Sequence, residues 1–213
     1  MKNILKILLL IPVMFTYGQK IGELAPEKPM IQFPANSWGV DLMFSDGGFG
    51  VGTFLRKEFS PTIKGFIDIS FSESKHDREF EYYDYYGNSY VAGKENRVFI
   101  MPLNVGIHYR IFKNALTDNL RPYFIAGIGP TFSISTPYRE EFFTSFKYAK
   151  YHFAAGGYIG FGADFGLSKK NLIGLNIRYY YMKYITDGVE HLTNQVKNEI
   201  GAFYITLNVG IMY

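Results

Sequence analysis

The chain has 213 residues, 19% of them charged, with a formal net charge of +3 and no cysteine. That length fits one domain of ordinary size, and the mild, dispersed charge argues against a nucleic-acid partner. The absence of cysteine excludes a disulfide framework, a thiolate metal site, a cysteine nucleophile and a lipid carried on an N-terminal cysteine.

Taken in order, Met1–Gly18 reads as a secretory signal peptide. Lys2 and Lys6 precede the apolar stretch Ile7–Phe15, which is too short to span a bilayer, and small residues end it before a cut that leaves Gln19 first. Residues 19–36 carry Pro26, Pro29 and Pro34, which forbid regular structure, and read as a lead-in. From Ser37 to Tyr213 the chain falls into eight segments of alternating polarity, the period of a β-strand. The first is Ser37–Ser45 with Trp38, Val40, Leu42 and Phe44 on its apolar face, and Asp46–Gly48 forms a tight hairpin. The second runs to Phe59, and Ser60–Thr62 turns the chain into the third, about Thr62–Ser74. A polar, tyrosine-rich loop of about residues 75–96 follows. The fourth, Arg97–Ile111, alternates most cleanly, with Phe99, Met101, Leu103, Val105, Ile107 and Tyr109 against Pro102, Asn104, Gly106, His108 and Arg110. A short connection leads to the fifth, about Leu120–Ser135, and a loop of residues 136–150 to the sixth, about Tyr151–Leu167. A short turn and the seventh, Leu172–Tyr184, precede a third loop, residues 185–198.

The closing segment, Gly201–Tyr213, sets Phe203, Ile205, Leu207, Val209, Ile211 and Tyr213 against Ala202, Tyr204, Thr206, Asn208, Gly210 and Met212. It exceeds the ~5–6 residues usual in soluble sheets and matches the ~9–11 tilted residues that cross a bilayer. A closing amphipathic strand with an aromatic last residue resembles the C-terminal signature of bacterial outer-membrane β-barrels. The whole of residues 37–213 is similar to the small eight-stranded barrels of the OmpA/OmpX type. The resemblance implies an all-β fold, a closed antiparallel up-and-down transmembrane β-barrel, in the bacterial outer membrane. It also implies that Tyr213 belongs to a signal read by the barrel assembly machinery, and that outer-membrane lipid and lipopolysaccharide surround the protein.

The connections orient such a barrel. Those after the second, fourth and sixth segments are short, and three of the four others are long. Outer-membrane barrels have short periplasmic turns and long external loops, so both termini are expected in the periplasm. A soluble barrel with its apolar face inside shares the alternation. Three features favour the membrane form: aromatics near both ends of the apolar faces, a glycine-, serine- and asparagine-rich polar face suited to a narrow interior, and balanced charges on that face. Asp41, Glu58, Asp68 and Asp164 stand against Arg56, Lys64, Arg110 and Arg178, an interior network in which opposite charges can neutralise one another.

Eight strands leave room for little but side chains, so a lumen plugged by this network is expected rather than a porin-like pore, with a narrow channel as an alternative. His76, His108, His152 and His191 show no ligand spacing, so neither metal nor cofactor is expected. Some eight-stranded outer-membrane barrels modify lipid A, and one deacylase family uses a His-x-Ser pair on a strand face. No such pair occurs here, with His191 and Thr193 coming nearest in a loop, so a hydrolase is an alternative and no catalytic residue is assigned. The loops carry the remaining chemistry. Tyr82, Tyr83, Tyr85, Tyr86, Tyr90, Phe142 and Phe143 offer rigid aromatic area with hydroxyls, the composition of a recognition surface. The expectation is therefore a non-catalytic structural or adhesive protein that meets an extracellular or surface partner through its loops.

Overall fold

The structure, a computed structural model, describes residues 33–76, 78–116, 119–166 and 170–213. The signal peptide expected over residues 1–18 and all but the end of the lead-in lie outside the described residues.

In chain order the strands are β1 (Ser37–Ser45), β2 (Gly48–Ser60), β3 (Ile63–Ser74), β4 (Glu81–Tyr83), β5 (Ser89–Val91), β6 (Asn96–Arg110), β7 (Leu120–Pro137), β8 (Lys150–Gly166), β9 (Asn171–Tyr184), β10 (Val189–Leu192), β11 (Gln195–Lys197) and β12 (Glu199–Met212). Eight of them close a barrel in the order β1-β12-β9-β8-β7-β6-β3-β2. Every neighbouring pair is antiparallel, and closure is made by β1 on β12, from Ser37 opposite Met212 to Ser45 opposite Tyr204. A closed ring leaves no strand edge, which a barrel needs where no water can satisfy free backbone groups.

The turns are set by local chemistry. Between β1 and β2 the Gly47 N–H donates to Ser45 Oγ at 3.1 Å and to Asp46 Oδ1 at 3.0 Å. Gly48 then takes φ +128°, a conformation that side chains with a Cβ rarely adopt. The strand pairs β4–β5 and β10–β11 form small hairpins inside the first and third long loops, where the sequence suggests only loop. The backbone bridge between Lys94 and Leu192 ties those loops together.

The alternation resolves as expected, with the apolar positions outside. Trp38, Phe44, Leu55, Ile67, Val105, Phe124, Ile159, Ile177 and Ile205 are exposed on the outer wall, while Asp41, Arg56, Asp68, Asn104, Asp164 and Arg178 are buried within. The interior is less polar than the sequence suggests. Met43, Phe54, Phe66, Ile100, Ile125, Tyr158, Tyr180, Met182 and Tyr204 also face inward and are buried, and glycines opposite Phe54, Phe66 and Tyr158 make room for their rings. Phe66, for example, leans over Gly106 and Gly127, and a Cβ added at Gly127 would lie 2.9 Å from the Phe66 ring.

Phe99 departs from its expected place. It keeps the outward parity of a girdle residue yet is only 7% exposed. The second long loop forms a one-turn helix, α1 (Phe142–Ser145), followed by a 3-10 turn over Phe146–Tyr148. Phe142 and Phe146 of this segment pack on Phe99 from outside.

Candidate functional site: the lumen and the loop-side rim

Two ion-pair clusters stand at the centre of the lumen. In the first, Arg178 on β9 places Nη2 2.9 Å from Asp41 Oδ2 on β1, and its Nη1 lies 3.9 Å from Asp68 Oδ2 on β3. Asn104 Nδ2 donates to Asp68 at 2.9 Å, the Tyr158 hydroxyl donates to the same carboxylate, and Asn208 donates to Asp41. Asn176 continues the chain, accepting from Arg178 Nε at 3.0 Å and donating to Asn208 Oδ1 at 2.8 Å. In the second cluster Arg56 Nη1 on β2 sits 3.1 Å from Asp164 Oδ2 on β8, and His108 Nε2 on β6 lies 3.5 Å from the same oxygen. The His108 ring packs on Tyr123 with centroids 3.9 Å apart, and Arg56 lies over the Phe54 ring at 4.3 Å. Burying a charge is tolerable only when paired and hydrogen-bonded, and the five charged residues of the two clusters meet that condition.

The other three expected members of the network lie apart from these clusters. Glu58 and Lys64 pair at 3.5 Å at the rim where Asn36 meets Tyr213, where Lys64 Nζ also donates to Ala35 O, and Arg110 donates to Leu116 O at 3.2 Å. His108, absent from the expected network, joins the second cluster, and Arg121, also absent from it, is a further buried cation. Arg121 is 6% exposed, bonds Met212 Sδ at 3.5 Å and carries the Phe33 ring 4.1 Å from its guanidinium. Phe33 packs against Phe54, Leu172 and Met212, so the end of the lead-in covers this side of the lumen. The parity of β7 places Arg121 inward beside Tyr123, the one sequence signal that finds it. Tyr213, the expected assembly residue, is 58% exposed and exchanges backbone hydrogen bonds of 3.0 Å with Asn36.

A third cluster sits among the long loops. The Glu79 side chain is 2% exposed, with Lys94 Nζ 2.8 Å from Oε2 and His191 Nδ1 3.7 Å from Oε1. The His76 N–H donates to Oε1 at 2.9 Å, and the His76 and His191 rings are 6.1 Å apart. Burial alone would raise the Glu79 carboxyl, but the facing His191 and Lys94 side chains and the hydrogen bond from the His76 N–H outweigh it and hold it at about 2. Among the described residues no group of three or more His, Asp or Glu side chains is placed to hold a metal ion.

The loop aromatics divide into two sets. Tyr82 and Tyr90 stack at 5.8 Å across the β4–β5 hairpin, while Tyr85 and Tyr86 at its tip are 98% and 86% exposed and Tyr83 also faces outward. Phe142 and Phe143 lie instead on α1, where Phe142 packs against Phe99 of the barrel's outer wall and Phe143 touches Phe142 while staying exposed. One serine–histidine contact escaped the sequence because its partners are on different strands. Ser135 Oγ and His152 Nε2 are 3.2 Å apart, and His152 Nδ1 is 3.1 Å from Asp187 O. Both side chains are on inward parity, and Ser135 is buried.

Apolar outer wall, charged interior and even strand count define the class: a closed, eight-stranded, antiparallel up-and-down β-barrel of the transmembrane kind. The same fold is found in Neisserial surface protein A, which is 10% identical, with 84% of this chain and 94% of that one covered and a TM-score of 0.52. Two further barrels align at lower scores. The N-terminal domain of Pseudomonas aeruginosa OprF is 14% identical over 84% of this chain and 97% of that one, TM-score 0.46. Yersinia pestis Ail, the attachment invasion locus protein, is 14% identical over 84% and 99%, TM-score 0.42. No protein-family model and no curated protein matches the sequence. The fold is that of the small outer-membrane barrels.

Proposed function

We propose that this chain is a non-catalytic barrel of the bacterial outer membrane, closed by its lumen network, with a structural or surface-binding role exercised through its external loops. The observation that carries the reading is the inversion of polarity. Arg56, Arg178, Asp41, Asp68 and Asp164 are buried inside a wall whose outer face is aliphatic and aromatic, an arrangement that suits lipid outside and is costly in water. Lipid and lipopolysaccharide are then its surroundings, and the assembly machinery reads the C-terminal strand that ends in Tyr213. In this reading the rim with the short turns, where Asn36 pairs with Tyr213, faces the periplasm, and the Tyr82–Tyr90 hairpin faces outward to a surface partner.

The closed lumen is supported by side chains that bridge opposite strands, Arg56 to Asp164 and Arg178 to Asp68. Absence of catalysis is supported by where the candidate groups lie. Thr193 Oγ1 donates to Glu95 Oε1 at 2.8 Å while His191 faces Glu79, engagements that speak against a nucleophile and base pair. Ser135 and His152 are near enough for that chemistry, but their inward parity keeps them from an ester in the surrounding lipid.

The test is gel migration of refolded protein with and without boiling, followed by planar-bilayer recording of the same sample. Heat-modifiable migration and electrical silence are expected. Unchanged migration would overturn the closed barrel, and steady conductance would make the buried charges the lining of a channel. Hydrolysis of a lipopolysaccharide acyl ester, lost in Ser135→Ala, would replace the reading with a hydrolase.

A further inference from the structure

The second long loop does not stand above the barrel mouth. It folds back over the outside of the wall, and Phe99 records this. By the parity of β6 Phe99 points outward beside Leu103 and Val105, and its ring stacks on Phe71, an outward residue of β3, at 5.5 Å. On this outer face Phe146 stacks at 6.0 Å and Phe142 meets the ring edge-on at 6.2 Å. Phe142 and Phe146 pack on each other at 5.5 Å, and Phe143 leans on Phe142 at 5.2 Å.

The segment is two-sided. Ser145 is fully buried, its hydroxyl donating to Phe142 O at 2.7 Å, and Glu141 caps the turn by accepting from the Thr144 N–H at 3.0 Å. Phe143, by contrast, is 78% exposed and faces away from the protein. An exposed phenylalanine raised on a rigid turn costs solvation free energy in water but gains at a bilayer surface, where aromatic side chains bridge headgroup and acyl layers.

We propose that α1 and the turn after it form an aromatic foot that rests in the headgroup–acyl boundary of the outer leaflet, with Phe143 inserted into lipid. The foot extends the lipid-facing surface of β3 and β6 beyond the strands, and its occupant is membrane lipid rather than a protein partner. Phe142 and Phe143 therefore belong to the membrane, and the tyrosines of the β4–β5 hairpin are left for recognition. The proposal rests on the membrane reading, and one intrinsic probe separates the two.

The chain has a single tryptophan, Trp38, which faces outward near the opposite rim. In the full chain reconstituted into vesicles of lipid brominated high on the acyl chain, Trp38 fluorescence reports whether the barrel wall meets lipid. Phe143→Trp in a Trp38→Phe background then reports the foot, and Tyr85→Trp in the same background is the aqueous reference. Gel migration checks that each variant folds. The expected result is loss of emission from the Phe143→Trp variant in brominated lipid, as for Trp38 in the parent, with protection from iodide. The Tyr85→Trp variant is expected to be quenched by iodide. An indole in the Phe143→Trp variant that is open to iodide and untouched by bromine, beside a quenched Trp38 in the parent, overturns the foot and leaves the membrane barrel standing. A Trp38 that bromine does not quench overturns both.

Discussion

Arg56 on β2 and Asp164 on β8 meet at 3.1 Å although their strands stand four places apart in a ring of eight, on opposite sides of the barrel. One ion pair thus spans the lumen. Both groups are nearly without solvent, at 3% and 7% side-chain exposure. Removing one partner from such a pair leaves a buried, uncompensated charge and costs about 3–5 kcal/mol, whereas replacing both with apolar residues of similar volume is far less costly. Asp164→Ala is expected to lower the urea midpoint of unfolding in lipid vesicles strongly, and the double variant Arg56→Met/Asp164→Leu to recover most of it. Equal loss in both would show that the pair does not govern stability.

Gly127 marks where the interior is filled to its limit. A Cβ there would meet the Phe66 ring at 2.9 Å and Tyr158 Cε1 at 3.2 Å, both side-chain atoms. Overpacking of this kind costs about 1–3 kcal/mol. Gly127→Ala is expected to destabilise within that range and Phe66→Leu to relieve part of the cost, measured as coupling in a double-mutant cycle. Strict additivity would mean that the wall shifts instead of the ring.

The Glu79 cluster predicts an acid response confined to the loops. Its carboxyl is held at about 2 in the folded chain against an ordinary 4.5. The group is thus depressed by folding, and its contribution to stability is fully present above pH 4.5. That contribution is lost as the pH falls from 4.5 toward 2. Amide hydrogen exchange of residues 75–95 and 185–198 is expected to quicken across this window while the barrel strands stay protected. Glu79→Gln should remove the pH dependence, and a loop response unaltered in that variant would assign the effect to another group.

Tyr85 and Tyr86 touch little but each other, their rings 5.7 Å apart at the hairpin tip. Tyr85→Ser/Tyr86→Ser is expected to leave the unfolding midpoint within about 0.5 kcal/mol of the parent. If the hairpin is the recognition surface, attachment of cells displaying the variant to a host-cell or extracellular-matrix layer falls. Unchanged attachment would move recognition to another loop.

The strand pattern was open to reading because lipid on one side and close packing on the other impose a strict period of two. Trp38 to Phe44 on β1 and Phe203 to Ile211 on β12 follow it without exception. Pairings across the lumen were not open to reading, since nothing local links Arg56 to Asp164 or Ser135 to His152. The Glu79–Lys94–His191 cluster escaped for the same reason, joining two loops about a hundred residues apart. Phe99 shows the opposite failure. Its own strand assigns it correctly to the outer face, but a loop more than forty residues later decides that it is covered. The β4–β5 hairpin left a weak signal in Asp84–Asn88, where Asp84 Oδ1 accepts from the Tyr86 and Asn88 N–H groups and Gly87 takes φ +83°.

Closure of β1 on β12 has a kinetic meaning. Trp38 lies opposite Ile211, so the seam joins residues from the two ends of residues 37–213. Until the final strand is available, β1 and whichever strand then ends the sheet expose unpaired backbone, and no partial ring is a stable resting point. Hairpins such as β1–β2 can form early from local contacts, but the seam carries the longest sequence separation in the structure and forms last. The ring is therefore completed in one late event, the pairing of the first barrel strand with the last.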